Sequence, residues 1–152
     1  MRSLLCLAAL LALTCAPAFA TGSLSCSFAD RNLKLEVEGA VSHGVGEGFM
    51  NFGGTLEVLA KAAPEDFRKV ELELEHLTQR WLYGKDLKLR LYRERAGDAP
   101  HGYVELIVET RQQGREETDY RGSYVLVVYH LPPGASEGKT VTLRGRAACS
   151  VG

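Results

Sequence analysis

The sequence predicts an all-β protein: a single antiparallel β-sandwich or Greek-key barrel of about eight strands over residues 21–152. Three observations lead to this class. Short segments alternate apolar and polar residues along the whole region, which is the period of a half-buried strand. Turn-forming residues separate these segments at short spacing and leave room for at most one of the crossover helices that parallel strands need. Two cysteines lie near the two ends of the region, so we expect the termini to be joined.

Residues 1–20 are predicted to be a cleaved secretory signal peptide. Arg2 supplies the positive start, Leu4–Leu13 is the apolar segment, and Ala18–Ala20 forms a small-residue cleavage site. An apolar run of about ten residues is shorter than the roughly 20 that cross a bilayer, so no transmembrane anchor is expected. Lipid attachment at Cys15 is the alternative, and Thr14 disfavours it because lipoprotein processing prefers a small residue there. We expect an exported protein, periplasmic or extracellular.

Cys26 and Cys149 remain after cleavage and are predicted to form a disulfide between the first and last strands. Closing a loop of this length restrains the unfolded chain by roughly 4–5 kcal/mol in the chain-entropy model. Two buried free thiols are the alternative. A redox pair would favour a C-x-x-C spacing, and a zinc site would need further ligands, so the disulfide is the better interpretation.

The strands follow from alternation, taken in chain order. After Leu24–Phe28, the clearest alternating segments are Leu33–Glu38, Thr55–Leu59, Val70–Glu75, Leu87–Leu91, Val104–Val108 and Thr140–Arg144. Tyr124–Tyr129 is apolar at every position instead, which predicts a strand buried on both faces or one that crosses between sheets.

Residues 64–82 fit two structures. Apolar residues such as Phe67, Val70, Leu74 and Trp81 also fall at helical spacing, and a helix over 64–82 would make the fold α+β. The alternation of 70–74 favours a strand. We therefore predict an extended segment with a break or bulge near His76–Leu77 and a tight turn over Tyr83–Asp86.

Charge pairing orders two of the strands. If Leu91 lies opposite Leu106, then Lys88 faces Glu109, and opposite charges across a sheet attract weakly. The strands that carry these residues are predicted to be neighbours.

No motif for catalysis, a metal or a cofactor is present, so no catalytic residue, metal site or cofactor is predicted. The four histidines, His43, His76, His101 and His130, show neither of the paired spacings of a metal-binding strand or helix. The sequence lacks a G-x-S-x-G nucleophile elbow. A net charge of −1 offers no basic excess for binding phosphates, so nucleic acid is excluded as a partner.

The tyrosines predict a binding surface. A two-residue hairpin loop at Gln113–Gly114 would place Tyr103 opposite Tyr124 and Ile107 opposite Tyr120. With Tyr92 on the adjacent strand, the predicted binding residues are Tyr92, Tyr103, Tyr120 and Tyr124. Rigid rings suit recognition of a protein, and carbohydrate is the second ligand class. Alternatively these tyrosines pack in or beside the core, because a one-residue register slip would turn Tyr120 and Tyr124 inward.

The function expected from these features is that of an exported, non-catalytic binding or accessory module whose partner is another envelope or secreted protein. Two alternatives remain at this stage. One is an enzyme whose site is assembled only in three dimensions, and the other is a structural or adhesive subunit that pairs through a sheet edge. The sequence makes no prediction of oligomeric state.

Overall fold

The computed structural model describes residues 21–42, 48–114 and 118–152. The predicted signal peptide, His43 and the glycine-rich residues 44–47 lie outside the described residues. The strands are β1 Thr21–Ala29, β2 Leu33–Ser42, β3 Gly48–Val58, β4 Lys69–Glu73, β5 Leu77–Tyr83, β6 Asp86–Glu94, β7 Gly102–Gln112, β8 Asp119–His130 and β9 Lys139–Val151. Two 3₁₀ turns, Glu65–Phe67 and Leu74–His76, flank β4.

All nine strands belong to one antiparallel sheet in the order β4-β3-β2-β1-β9-β8-β7-β6-β5. The prediction of an all-β antiparallel fold is confirmed. The strands form one nearly closed barrel with up-and-down connections, where the sequence left a sandwich and a Greek-key barrel open. Consecutive strands are antiparallel neighbours because short loops connect them. The first and last strands, β1 and β9, also pair with each other, so the sheet curves toward a closed barrel.

The predicted disulfide is confirmed. Cys26 on β1 lies directly opposite Cys149 on β9, with 4.0 Å between their Cα atoms. Both side chains are buried. The bond therefore joins the two strands at the point where the first and last segments of the chain meet.

The segment 69–83 connects the two edges of the nearly closed barrel. β4 pairs with β3 and β5 pairs with β6, so one extended stretch begins at one edge of the sheet and ends at the other. The 3₁₀ turn Leu74–His76 permits this change of partner and leaves Leu74 exposed. Residues 64–82 were predicted to be extended with a break or bulge near His76–Leu77. The prediction is confirmed from Lys69 onward, whereas Glu65–Phe67 form a 3₁₀ turn. The helical alternative for 64–82 is wrong, because β3 and β6 supply the ladder partners that stabilise the extended form.

Side chains bridge the remaining gaps between the two edges. Arg93 Nη1 on β6 donates a hydrogen bond to the Glu71 carbonyl oxygen on β4, 2.9 Å away. Toward the other end of the barrel, the Arg80 guanidinium on β5 lies 6.0 Å from the centre of the Phe49 ring on β3. The break between β4 and β5 explains why nine strands are counted where about eight were predicted.

The inward side chains fill the barrel. The largest fully buried ones are apolar and come from strands all around the sheet: Leu24, Leu33, Leu35, Leu56, Leu87, Leu89, Leu91, Leu106 and Leu126, joined by Tyr124. An antiparallel barrel of about eight strands is just wide enough to be filled by such side chains. In the part of the chain that the structure describes, the buried side chains form one apolar core, and the outward side chains of the sheet are those free to contact another molecule.

Candidate functional site: an aromatic face outside strands β6 to β8

Four rings lie together on the outside of the barrel, near the end where β6 finishes and β7 begins. Tyr103 on β7 lies directly opposite Tyr129 on β8, and their ring centres are 5.4 Å apart. Tyr92 on β6 lies 5.4 Å from Tyr103, and His101 lies 5.5 Å from Tyr129. We call Tyr92, His101, Tyr103 and Tyr129 the aromatic face. Rings at these separations stabilise one another and are held in place before any partner arrives.

The strand registers that build this face follow partly from the predicted pairings. Lys88 pairs with Glu109 and Leu91 with Leu106, as predicted, and Lys88 Nζ lies 3.0 Å from Glu109 Oε1. Alternation along β6 puts Tyr92 on the same side of the sheet as Lys88, and the register places Tyr92 opposite Glu105.

The predicted register between β7 and β8 is wrong. Tyr103 pairs with Tyr129 rather than Tyr124, and Ile107 pairs with Val125 rather than Tyr120. The ladder ends at Gln112 and Tyr120, so the connection is longer than a two-residue loop at Gln113–Gly114. A hairpin's register is set by the length of its loop, and the partner residues move by five positions as a result.

An odd shift of register turns every side chain of the strand to the other face. Of the four predicted binding tyrosines, Tyr92 and Tyr103 therefore lie on the outside, while Tyr120 and Tyr124 lie in the core, with 5% and 1% of their surfaces exposed. The structure does not bring the four together as one surface. Tyr120 and Tyr124 follow the alternative that the sequence left open, that of core residues.

The hydroxyl of buried Tyr124 belongs to a polar network at one end of the barrel. It donates to Asp30 Oδ2 at 2.7 Å and lies 3.2 Å from the Asn32 side-chain nitrogen, which donates to it. Burial and the hydrogen bond to Asp30 raise the pKa of Tyr124 to about 12. Burial would raise the pKa of Asp30, but hydrogen bonds from Tyr124, Asn32 and Leu33 outweigh it and lower that pKa below its ordinary value. This network stabilises the fold and does not reach the aromatic face.

An apolar strip extends the aromatic face along the outside of β7 and β8. Ile107 pairs with Val125, and both side chains are half-buried, as is that of Val127. The strand Tyr124–Tyr129 was predicted to be buried on both faces or to cross between sheets. In the single sheet of this fold, one of its faces meets the core and the other is half-buried and forms part of this strip. Strands in general favour rings and β-branched side chains, but several of them adjoining on an outer sheet surface form a contiguous apolar patch that another molecule can cover.

Charged groups border the face. Arg90 Nε lies 2.5 Å from Glu105 Oε1, and its guanidinium lies 5.8 Å from the centre of the Tyr92 ring. His101 Nδ1 lies 3.3 Å from Glu94 Oε1. Burial, and then the negative charge of Glu94, raises the pKa of the Tyr92 hydroxyl above its ordinary value. The rings of the aromatic face can stack against a partner, and the tyrosine hydroxyls and the bordering charged pairs can form hydrogen bonds with it.

Sequence reasoning missed Tyr129 and His101. Tyr129 was visible in the apolar run 124–129, but its side of the sheet depended on the register. His101 precedes β7, and only the packing of the loop against Tyr129 reveals its place. The loop before β9 also approaches the face, since a Cβ on Gly138 would lie 2.2 Å from the Tyr129 hydroxyl. Glycine at 138 therefore permits this close contact.

Comparison with family models, with curated proteins and with solved structures finds no match to this chain. In the part of the chain that the structure describes, no helix is long and apolar enough to cross a membrane. The same residues contain no cluster of three or more histidine, cysteine, aspartate or glutamate side chains placed to hold a metal ion.

Proposed function

We propose that this protein is an exported, non-catalytic binding module that contacts another envelope or secreted protein through the aromatic face. The observation that carries the proposal is the row of Tyr92, Tyr103 and Tyr129 across three neighbouring strands, with His101 against two of the rings. Tyrosine is enriched at the energetic centres of protein interfaces because its rigid ring gives a large contact area at little entropic cost.

The shape and surroundings of the face favour a protein over a small molecule. The rings and the strip formed by Ile107, Val125 and Val127 lie along the outside of a sheet, where a partner with a broad surface can cover them together. The ion pair between Arg90 and Glu105 lies beside the rings and supplies the polar rim of such an interface. Because the strands are fixed by the barrel, the face needs little reorganisation on binding.

Site-specific photo-crosslinking identifies the partner. A photoreactive amino acid is placed at position 105, between the rings and the apolar strip, and in a control protein at position 36, which is exposed on β2. We expect one envelope or secreted protein to be crosslinked from position 105 and not from position 36. Equal crosslinking from both positions would count against the aromatic face as the contact surface.

Affinity for the purified partner then tests the rings directly. Tyr103→Ala and Tyr129→Ala should each weaken binding of the partner by about 1–2 kcal/mol or more, which is roughly fivefold to thirtyfold or more, while the protein stays folded. Tyr83→Ala is the matched control, since Tyr83 is 76% exposed at the end of β5 and outside the face. Unchanged affinity in both ring variants would refute the proposal. A wild-type oligomer that both variants preserve would favour assembly through a sheet edge instead.

A further inference from the structure

A second surface lies on the outside of β5, β6 and β7, near the other end of the barrel. It is an open groove of about 610 Å³ whose wall carries Trp81. The Trp81 side chain is 56% exposed, although tryptophan is among the most apolar side chains of the protein. Trp81 pairs with Lys88 on β6, and Lys88 pairs with Glu109 on β7, so these three side chains form one row across the groove.

Most charges in the groove are paired with an opposite charge. Lys88 Nζ lies 3.0 Å from Glu109 Oε1, and Arg90 Nε lies 2.5 Å from Glu105 Oε1. Asp86 Oδ1 lies 3.6 Å from Arg111 Nε at the end of the groove. Each of these charged groups already has an opposite charge on the adjacent strand. Arg80 also lines the groove and has no ion pair within the described residues, but its guanidinium lies over the Phe49 ring of β3, 6.0 Å from the ring centre. The groove therefore carries at most one uncompensated charge.

These pairs also hold polar groups in fixed positions. Gln79 pairs with Arg90 in the next row, and its exposed amide adds a donor and an acceptor to the groove wall. The groove therefore combines an exposed indole face with anchored hydrogen-bonding groups and little net charge. A neutral sugar has the same combination, since its ring presents an apolar C–H face and a border of hydroxyl groups.

We propose that this groove binds a neutral oligosaccharide. The sugar's C–H face packs on the Trp81 indole, and its hydroxyl groups exchange hydrogen bonds with Gln79, Lys88 and Glu109. The site goes beyond the proposed function, because it takes a different class of ligand and does not include the four rings of the aromatic face. It shares Arg90 and Ile107 with the border of that interface, whereas Trp81 belongs to the groove alone. The two proposals can fail independently.

The chain contains a single tryptophan, so its intrinsic fluorescence reports on this groove alone. The exported protein is titrated with cellohexaose, chitohexaose and maltohexaose, and with hexagalacturonate as an anionic sugar of similar length. We expect a saturable change in tryptophan emission with at least one neutral sugar and weaker binding of the anionic one. Failure of all three neutral sugars to bind at millimolar concentration, or preference for hexagalacturonate, would overturn the proposal.

Calorimetry on variants assigns the site. Trp81→Ala should lower the affinity for the sugar about thirtyfold or more, as expected for an aromatic residue at the centre of a binding site. Trp81→Phe keeps a ring and should lower the affinity less. Leu59→Ala is the control, since Leu59 is 50% exposed and follows β3 away from the groove. The proposal is overturned if Trp81→Ala binds as tightly as the wild type. It is also overturned if the groove binds an extended peptide and no sugar.

Discussion

Removing the hydroxyl oxygen of Tyr124 from the partly buried polar network should show how strongly this network stabilises the barrel. In Tyr124→Phe the ring remains, and so does its stacking on Phe28, whose ring centre is 5.6 Å away. The variant loses the 2.7 Å hydrogen bond to Asp30 and the 3.2 Å hydrogen bond from Asn32. A hydrogen bond to a charged group is worth about 1.5–3 kcal/mol, and Asn32 keeps its bond to the Arg144 carbonyl, so we expect a loss of roughly 2–3 kcal/mol.

The loss is measured by guanidinium denaturation at pH 7 with the disulfide intact, and by the melting temperature. At about 4 °C per kcal/mol for a domain of this size, Tm should fall by roughly 8–12 °C. Tyr83→Phe is the control, because the Tyr83 side chain is exposed and should change stability little. A free energy of unfolding for Tyr124→Phe within about 0.5 kcal/mol of the wild type would refute the assignment of Tyr124 as a stabilising donor.

The same network predicts a pH dependence. The pKa of Tyr124 is about 12 in the folded protein and about 10 in an unfolded chain, so between these pH values the unfolded chain has lost the proton that the folded protein keeps. Wild-type stability should therefore fall as the pH rises from 10 toward 12, and the difference from Tyr124→Phe should narrow. The lowered pKa of Asp30 affects stability at acid pH. Its contribution to the free energy of unfolding is fully present above the pKa that Asp30 has in the unfolded chain, and it is lost as the pH falls through the lower pKa of the folded protein. An identical alkaline decline in both proteins would contradict the assignment.

Two further results are expected. Replacing Cys26 and Cys149 together by serine should lower the free energy of unfolding by roughly 4–5 kcal/mol in the chain-entropy model. In the wild type neither cysteine should be alkylated without reductant, and alkylation of both would contradict the disulfide. Gly122→Ala should lower the free energy of unfolding by about 1–3 kcal/mol or more, because a Cβ there would lie 2.0 Å from the Glu109 carbonyl oxygen. Ser123→Ala, at an exposed position, should be nearly neutral. Equal stability of the Gly122 and Ser123 variants in denaturant titration would show that the strands can separate at no energetic cost.

Features that depend on local sequence were predictable. Alternation of apolar and polar residues identified the strands because burying one face of a sheet requires that period whatever the topology. The pairing of Lys88 with Glu109 was predictable for a related reason, since aligning Leu91 with Leu106 buries both leucines and brings the opposite charges together. The disulfide followed from two cysteines near the two ends of a domain predicted to be exported.

The closure of the barrel required the tertiary structure. The sequence indicated a break near His76–Leu77, but it did not show that the two sides of the break pair with different edges of the sheet. A strand's pattern specifies which side is buried and leaves open which strand lies beside it. That choice depends on how far the whole sheet curls, and so on contacts among strands distant in the chain.

The candidate site shows the same division. The sequence predicted a binding surface made of tyrosines from β6, β7 and β8. The length of the loop between β7 and β8 decided which of the β8 tyrosines face outward. A five-residue change in pairing put Tyr129 beside Tyr103 and turned Tyr124 toward Asp30. The sequence by itself thus determined the strands, the disulfide and the chemical character of the residues. The tertiary structure decided their side of the sheet, because register is set by loop length and by the burial of a whole strand face together.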